Sequence, residues 1–270
     1  MTAIRGMYRT KAAGDAVLRT VSSRWQAKRK YADEIDYWKH QLEDLKSWFV
    51  DGSTDWWGLP PPRSDQKVAD PTALWQTNAV LSMHRIRPTY HEELKLDGDF
   101  FRGKKVLEVG CGPLTPVLQF SGCIRHGLDP LLNQYIDAGW PIYEYGVKTV
   151  NAFAERMPYP DAYFDCAISV NALDHVDDFR TAAAEIQRVV RPGGGIYFEI
   201  EYHDPTVTEP LKLSDQDVLT SFNRARMRKV LERGKRELFS DLAKRFHLVP
   251  ERFAAFSNEE RFALWHGENK

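Results

Sequence analysis

The stretch that decides the fold is Lys105-Val106-Leu107-Glu108-Val109-Gly110-Cys111-Gly112-Pro113-Leu114-Thr115. A short apolar run that ends in a glycine turn is typical of a buried parallel strand leading into a helix. Glycines at such a turn remove the Cβ atoms that would keep a ligand away from the backbone. The stretch therefore predicts the first strand and turn of a nucleotide-binding α/β unit.

The residues after 104 alternate short apolar runs with helical patterns. Strands are predicted at Val106–Val109, Ile124–Leu128, Tyr143–Val150, Phe164–Val170 and Gly195–Ile200. Helices are predicted between them, at Leu114–Phe120, Leu131–Ala138 and Asp178–Val190. This alternation is typical of a parallel sheet with helices on both faces. We therefore predict an α/β protein with a Rossmann-like, doubly wound, mostly parallel sheet.

The first 98 residues predict a helical extension, and residues 99–270 predict the α/β core. Apolar residues recur at helical spacing over residues 31–50, and a second helix is predicted from Pro71 to about Met83. The extension is short for an independent domain, so we expect it to pack on the core as a substrate cap. The basic segment 1–30 could be an arm that contacts a membrane surface or an anionic substrate, or a solvated terminus.

The end of the chain predicts a helical insert at about residues 213–245 and a closing antiparallel pair of strands. Ser214 and Asp217 have the spacing of a capping box at the start of that insert. Residues 248–256 and 261–265 alternate in polarity around a turn, which predicts the antiparallel C-terminal strands.

Composition limits the class of partner. A net charge of −1 argues against a nucleic-acid partner. The three cysteines form no Cys-x-x-Cys pair, which favours reduced thiols and a cytoplasmic location. No apolar run approaches the roughly 18 residues of a membrane span. The oligomeric state stays open, with a homodimer as one alternative.

An acid at the end of the second predicted strand suits the glycine turn. Asp129 lies 19 residues beyond Gly110. Neighbouring strand ends share one crevice in a doubly wound sheet, so its carboxylate could accept hydrogen bonds from both hydroxyls of a ribose.

Four motifs in order resemble those of the class I S-adenosylmethionine (SAM)-dependent methyltransferases. They are residues 107–112, Gly127-Leu128-Asp129, residues 154–165 and residues 185–194. The resemblance implies a seven-stranded sheet, methyltransferase activity and SAM as the cofactor. It implies these cofactor-binding residues: Glu108, Gly110, Cys111, Gly112, Asp129, Pro130, Phe153, Ala154, Glu155 and Asn171.

Two positions depart from the family pattern. Leu114 stands where a third glycine often follows, so the turn at the methionine end of the cofactor should have a different shape. Phe153 stands where the family often has an acid for the adenine amino group, and this contact would fall to the backbone or to Glu155.

The acceptor side is less sharply defined. We expect O-methylation of a small-molecule or glycan hydroxyl, with His203 or His175 as the general base because both follow predicted strands. Asp174, Glu201 and Asp204 could orient these histidines or hold a divalent cation. The acceptor-contacting residues proposed for the wall are Tyr202, Glu201, His84 and Trp57.

Three other functions use the same features. The glycine turn also occurs in nicotinamide-dependent oxidoreductases, although the motifs at 158–160 and 191–194 argue against that class. A SAM-binding scaffold without catalytic activity and a nucleic-acid methyltransferase share the fold.

Overall fold

The glycine-turn stretch contributes strand β1 (Lys105–Val109) to one seven-stranded sheet. The structure is a computed structural model, and it describes residues 29–248, 256 and 258–270. The strands, in chain order, are β1 (Lys105–Val109), β2 (Ile124–Asp129), β3 (Lys148–Asn151), β4 (Phe164–Val170), β5 (Val190–Tyr202), β6 (Ala225–Gly234) and β7 (Arg261–Asn269). Their order across the sheet is β3-β2-β1-β4-β5-β7-β6. The first five strands are parallel and β7 runs antiparallel to β5, which confirms the predicted fold class.

Strand order reverses between β1 and β4, so the carboxyl ends of these two strands border a crevice. The glycine turn after β1 and the loop after β4 lie at this crevice. The sheet therefore places the fold-deciding stretch at the position where α/β proteins bind ligands.

Helices cover the sheet and form the extension. They are α1 (residues 29–46 as described), α2 (Trp75–Ile86), α3 (Thr89–Leu94), α4 (Leu132–Asp137), α5 (Phe179–Val189), α6 (Asp215–Ser221) and α7 (Lys235–Phe246). A π-helical turn at Ser47–Asp51 ends α1, with Gly52 in the left-handed region at φ 63°. No helix in the described part of the chain is long and apolar enough to cross a membrane.

The extension shares an apolar core with one face of the sheet. Leu45 and Trp48, both fully buried, belong to the same cluster as Val106 of β1 and Val117. The opposite face is covered mainly by α5 and α6, and α5 begins as predicted at Asp178, whose side chain accepts from two backbone N–H groups. The basic segment 1–28 lies outside the described residues.

The predicted helical insert at 213–245 is wrong in its middle. The capping box is present, because Ser214 Oγ accepts from the Asp217 N–H, but α6 ends at Ser221 and β6 follows. Along β6, exposed Arg226 and Arg228 alternate with half-buried Met227 and Lys229, which is the period of two that a strand requires. Basic side chains on this edge strand also discourage pairing with another sheet.

The closing antiparallel pair therefore consists of β6 and β7. The predicted partner strand over 248–256 falls largely on residues 249–255, which lie outside the described part of the chain.

Three other elements differ from the prediction. The segment predicted as a strand from Tyr143 begins as a 3-10 turn at Ile142–Tyr145, because Gly146 takes a left-handed φ of 71°, and β3 starts after it. The predicted helix at 114–120 is reduced to a 3-10 turn at Pro116–Gln119 after left-handed Thr115. Helix α2 begins four residues later than predicted because Asp70 accepts from the Thr72 N–H and holds a turn there.

Candidate active site

The turn after β1 requires glycine at its first position. Gly110 has a φ of 72°, and a Cβ at this position would lie 2.3 Å from the Cβ of Ala172 in the loop after β4. Gly112 has a φ of 53° and faces the Trp38 ring of α1, which would lie 4.0 Å from a Cβ. The two glycines therefore allow the β1 and β4 loops to approach and leave space above the turn.

Asp129 connects the end of β2 to this turn. Its carboxylate accepts from the Gly112 N–H at 3.0 Å and from the Leu131 N–H at 2.9 Å. Burial raises the pKa of Asp129 to about 6, although both hydrogen bonds act to lower it. Each oxygen accepts one backbone hydrogen bond, and the remaining lone pairs can accept from a diol.

A cavity of about 640 Å³ opens above the turn. Nine of the ten predicted cofactor residues line it: Gly110, Cys111, Gly112, Asp129, Pro130, Phe153, Ala154, Glu155 and Asn171. We call this part the cofactor half of the cavity. Asn171 takes a left-handed φ of 48°, a conformation that asparagine tolerates better than most residues.

Glu108 is the tenth predicted cofactor residue, and the structure places it beneath the cavity rather than in its lining. It is fully buried, accepts from the Val117 N–H at 3.0 Å and lies beside Tyr90. Burial raises its pKa to about 8. Successive side chains of a strand point to opposite faces, so Glu108 points to the extension side while Leu107 and Val109 pack on the other face. Its carboxyl group holds the 3-10 turn after the glycine turn.

The unusual Pro113-Leu114 pair is held by the extension. His84 of α2 contacts the Leu114 carbonyl through Nε2 at 2.8 Å, and its Nδ1 lies 3.0 Å from Gln119 Nε2. Burial lowers the pKa of His84 to about 4, so the ring is neutral and donates to Leu114 while it accepts from Gln119. A histidine contact thus fixes the turn that lacks a third glycine.

Helix α1 lies over the cofactor half. The ring of Tyr31 lies 6.1 Å from that of Phe153, and the Lys30 ammonium donates to the backbone carbonyl of His175. Glu155 accepts from the N–H groups of Asp177 and Asp178 and so holds the loop before α5. From the sequence we predicted only that apolar residues recur along α1, and not that Tyr31 and Trp38 line the cavity. The spacing of these two residues on one helix face is the signal that could have identified them.

The cavity continues between α2, α3, α7 and the sheet, and we call this part the acceptor half. Trp57 and His84, two of the predicted wall residues, line the cavity. Its ionisable lining residues include Arg87, Glu93 and Glu199.

Glu199 belongs to the acceptor half and lies on the strand next to β4, whose end carries Asn171 of the cofactor half. It lies in β5 opposite Val170, and its carbonyl accepts from the Asn171 N–H at 3.2 Å. Burial raises its pKa, and repulsion from Glu93 adds to the effect; burial also raises the pKa of Glu93 to about 6. Sequence reasoning missed both acids. A glutamate inside the apolar run Ile196–Ile200 is the signal that could have identified Glu199.

The predicted bases lie together in a cluster of four side chains, of which His175 lines the cavity. His203 Nε2 lies 3.5 Å from Asp174 Oδ2 and 4.0 Å from Glu209 Oε2, and His175 Nε2 lies 3.6 Å from Glu209 Oε1. We call these four residues the histidine–carboxylate cluster. Asp174 raises the pKa of His203 to about 9 through its carboxylate.

Three further predicted residues are held away from the cavity by other partners. The Tyr202 hydroxyl donates to Asp215 Oδ1 at 2.9 Å, and the Lys235 ammonium donates to Glu201 at 2.9 Å. The exposed Asp204 pairs with Lys212 at 2.6 Å. The structure therefore does not bring Tyr202 and Glu201 to the acceptor half, nor Glu201 and Asp204 into a metal site with Asp174.

The fold and the geometry of the turn are those of a nucleotide-binding α/β protein. Comparison with known proteins narrows this class. Residues 107–198 match the methyltransferase domain family. This match, over about a third of the chain, confirms the resemblance to class I SAM-dependent methyltransferases that the four motifs carry.

Three curated relatives match between 34% and 43% of this chain. An O-methyltransferase of Aspergillus nomiae is 36% identical over 99 residues, which cover 34% of this chain and 44% of the relative. A ubiquinone biosynthesis O-methyltransferase of Photorhabdus laumondii is 36% identical over 126 residues, 43% of this chain and 50% of the relative. A sterol 24-C-methyltransferase of Gibberella zeae is 34% identical over 106 residues, 35% of this chain and 27% of the relative. The chain spans half or less of the length of these relatives, and they methylate different kinds of atom.

Solved structures support the fold. A SAM-dependent methyltransferase from Mesorhizobium loti aligns with a TM-score of 0.51 at 16% identity, over 67% of this chain and 98% of that protein. A geranyl diphosphate C-methyltransferase from Streptomyces coelicolor aligns with a TM-score of 0.50 at 16% identity, over 77% and 87% of the two chains. At these identities the likeness concerns the fold alone.

Proposed function

We propose that this chain is a SAM-dependent methyltransferase that methylates a hydroxyl group of a polar small molecule, such as a sugar, bound in the acceptor half. The observation that carries the proposal is the single cavity that runs from the glycine turn to a buried, charged pocket under the extension. A cofactor and an acceptor in the two halves would lie side by side, as a direct transfer between them requires.

The residues of the cofactor half fit SAM. Gly112 has no side chain that would keep SAM away from the turn, and the carboxylate of Asp129 can accept from both ribose hydroxyls. Phe153 and Tyr31 supply apolar and aromatic surface beside it for a flat base. When bound, SAM would supply a methyl group on a positively charged sulfur, and the sulfur would be the leaving group when an acceptor oxygen attacks the methyl carbon in line.

The acceptor half favours a polar ligand. The Nε of Arg87 is buried in the cavity wall and has no hydrogen-bond partner in the described part of the chain, while its Nη1 donates to the Trp57 carbonyl at 3.3 Å. The half-buried Glu93 and the buried Glu199 add two carboxyl groups to the same wall. Buried polar groups are costly unless something pairs with them, so we assign these positions to hydroxyl and other polar groups of the acceptor.

We assign the acceptor's proton to Glu199. As the bond between the acceptor oxygen and the methyl carbon forms and the carbon–sulfur bond breaks, the hydroxyl proton passes to the Glu199 carboxylate. Burial raises the pKa of this group, which makes its carboxylate a stronger proton acceptor than an ordinary glutamate. Its place beside Asn171 puts it at the junction of the two halves.

This assignment replaces the sequence-based choice of His203 as the base. The His203 side chain is 5% exposed, lies against Asp174 and does not line the cavity, so it cannot reach an acceptor there directly. His175 does line the cavity and stays in the proposal as a contact at its wall.

An acceptor screen tests the proposal. Release of S-adenosylhomocysteine (SAH) is measured with sugars, phenols and amines, and products heavier by one methyl substitution are identified by mass spectrometry. For the active acceptor, Glu199→Gln should lower kcat by about 10²–10⁴-fold, the usual contribution of a general base. Glu201→Gln is the matched control, because Glu201 lies two residues along on the same strand face but pairs with Lys235.

Two results would contradict the proposal. An amine or carbon acceptor that is methylated while every hydroxyl acceptor is refused would refute O-methylation. Tight SAH binding without transfer to any acceptor would favour a scaffold without catalytic activity.

A further inference from the structure

We infer that the histidine–carboxylate cluster, formed by Asp174, His175, His203 and Glu209, is a binding site for a divalent transition-metal ion of the Zn²⁺ type. It lies beside the cavity wall, on the loops after β4 and β5. This inference goes beyond methyl transfer and does not depend on it.

The separations within the cluster fit ligands that share an ion. The nitrogen–oxygen distances of 3.5, 3.6 and 4.0 Å are those of ion pairs and are longer than ordinary hydrogen bonds. Two ligands on one tetrahedral ion, each bound at about 2.1 Å, lie about 3.4 Å apart. One ligand atom each from Asp174, His175 and Glu209 also lie within 4.8 Å of one another.

Asp174 gives independent support. Its side chain is fully buried, and neither carboxylate oxygen accepts a hydrogen bond from any described residue. A buried carboxylate without such partners is costly, and His203 Nε2 faces it at 3.5 Å. A cation between these side chains would satisfy the oxygens.

The tautomer of His203 also favours a bound cation. Its Nδ1 lies 2.7 Å from the Asp204 carbonyl, which can only accept, so Nδ1 carries a proton. A bound cation would take the place of any proton on Nε2. This atom is buried, faces Asp174 and has no hydrogen-bond partner among the described residues. A backbone carbonyl on the far nitrogen is the usual arrangement around a metal-binding histidine.

The donor set selects the kind of ion. Two imidazole nitrogens and two carboxylates favour Zn²⁺ and similar transition metals, whereas Mg²⁺ and Ca²⁺ favour oxygen ligands. Four protein ligands would complete a tetrahedral site, which is typical of structural zinc. The ion would fasten the loop with His203 and Glu209 to the loop after β4, which forms part of the cavity wall at His175.

Metal binding to the untagged full chain tests the inference. After EDTA treatment and removal of the chelator, Zn²⁺ is titrated by calorimetry, and the bound metal is measured by mass spectrometry. Co²⁺ serves as a second probe because tetrahedral Co²⁺ absorbs strongly in the visible range. We expect one Zn²⁺ per chain, and at least tenfold weaker binding in Asp174→Asn and in Glu209→Gln.

Asp204→Asn is the matched control. Its side chain is exposed on the same loop and pairs with Lys212, and His203 contacts its backbone carbonyl rather than its carboxylate. This variant should bind Zn²⁺ like the wild type. SAH binding, measured on every sample, reports whether the variants are folded.

Three outcomes bear on the metal site. A wild-type chain that binds SAH but takes up no Zn²⁺ overturns the metal site and leaves the proposed function intact. Zn²⁺ binding that survives unchanged in Asp174→Asn and Glu209→Gln also overturns it, because the metal then lies elsewhere. Zn²⁺ binding without SAH binding would support the metal site while it contradicts the proposed function.

Discussion

Binding of SAH should weaken in acid because of one buried carboxyl group. Asp129 must be ionised to accept from both ribose hydroxyls, and burial raises its pKa to about 6. At pH 5, one unit below that value, about one-tenth of the chains carry the ionised form. The affinity should therefore fall about tenfold between pH 8 and pH 5, which corresponds to about 1.4 kcal/mol.

Protonation of Asp129 should not unfold the chain, so a loss of SAH binding in acid would not be explained by unfolding through this group. The folded-state pKa of Asp129 lies above its ordinary value of 3.8, so the folded chain holds this proton more tightly than the unfolded chain. Protonation of Asp129 thus stabilises the folded state as the pH falls from about 6 towards 4.

Calorimetric titration of SAH at several pH values between 5 and 8 measures the effect, with Asp129→Asn as the control. The variant should bind SAH about 10- to 100-fold more weakly at pH 8, because a hydrogen bond to a charged group contributes about 1.5–3 kcal/mol. Its affinity should show little change with pH. Wild-type affinity that stays constant from pH 8 to pH 5, or an equal loss in the variant, would refute this role of Asp129.

Three substitutions test the parts of the turn and its cover. Gly110→Ala should abolish SAH binding and lower the free energy of unfolding, because its Cβ would collide with Ala172; binding at wild-type affinity would refute the close approach. His84→Leu should lower the free energy of unfolding in urea by about 1–3 kcal/mol, since it leaves buried polar groups of the turn without partners; no change relative to the wild type would show that the turn does not need this residue. Tyr31→Ala should weaken SAH binding several-fold because it removes the ring beside Phe153. Tyr143→Ala, at a position 72% exposed, should not weaken it. Equal effects of the two substitutions would refute the role of Tyr31 of α1 in covering the cofactor.

Local patterns in the sequence were sufficient for the core. Apolar runs bounded by glycines and acids predicted β1, β2, β4 and β5, although β5 begins at Val190, five residues before its predicted start. The spacing from Gly110 to Asp129 was enough to predict that the carboxylate lies at the turn. These features depend on residues close in sequence or on neighbouring strand ends, which the topology of a parallel sheet brings together.

Features that depend on distant contacts were not predictable in the same way. His84 reaches Leu114 across 30 residues, and nothing near His84 indicates that its ring fixes the glycine turn. Glu108 satisfied the family motif, but the alternation of side chains along β1 turned it away from the cavity.

The insert shows the limit of periodicity. Residues 225–234 carry apolar and basic side chains at spacings that suit either a helix or an edge strand, and pairing with β7 decides for the strand. A strand therefore replaces the middle of the predicted helical insert, and α7, at the end of the insert, contributes Leu238 to the cavity lining.

We propose that the glycine turn and Asp129 bind SAM with its methyl group directed towards the acceptor half. A crystal structure of the complex with SAH tests it most directly. We predict that both ribose hydroxyls donate to the Asp129 carboxylate, that the adenine lies beside Phe153 and that the sulfur faces the junction at Asn171 and Glu199. A ribose that does not contact Asp129, or a ligand bound outside this cavity, would contradict the account.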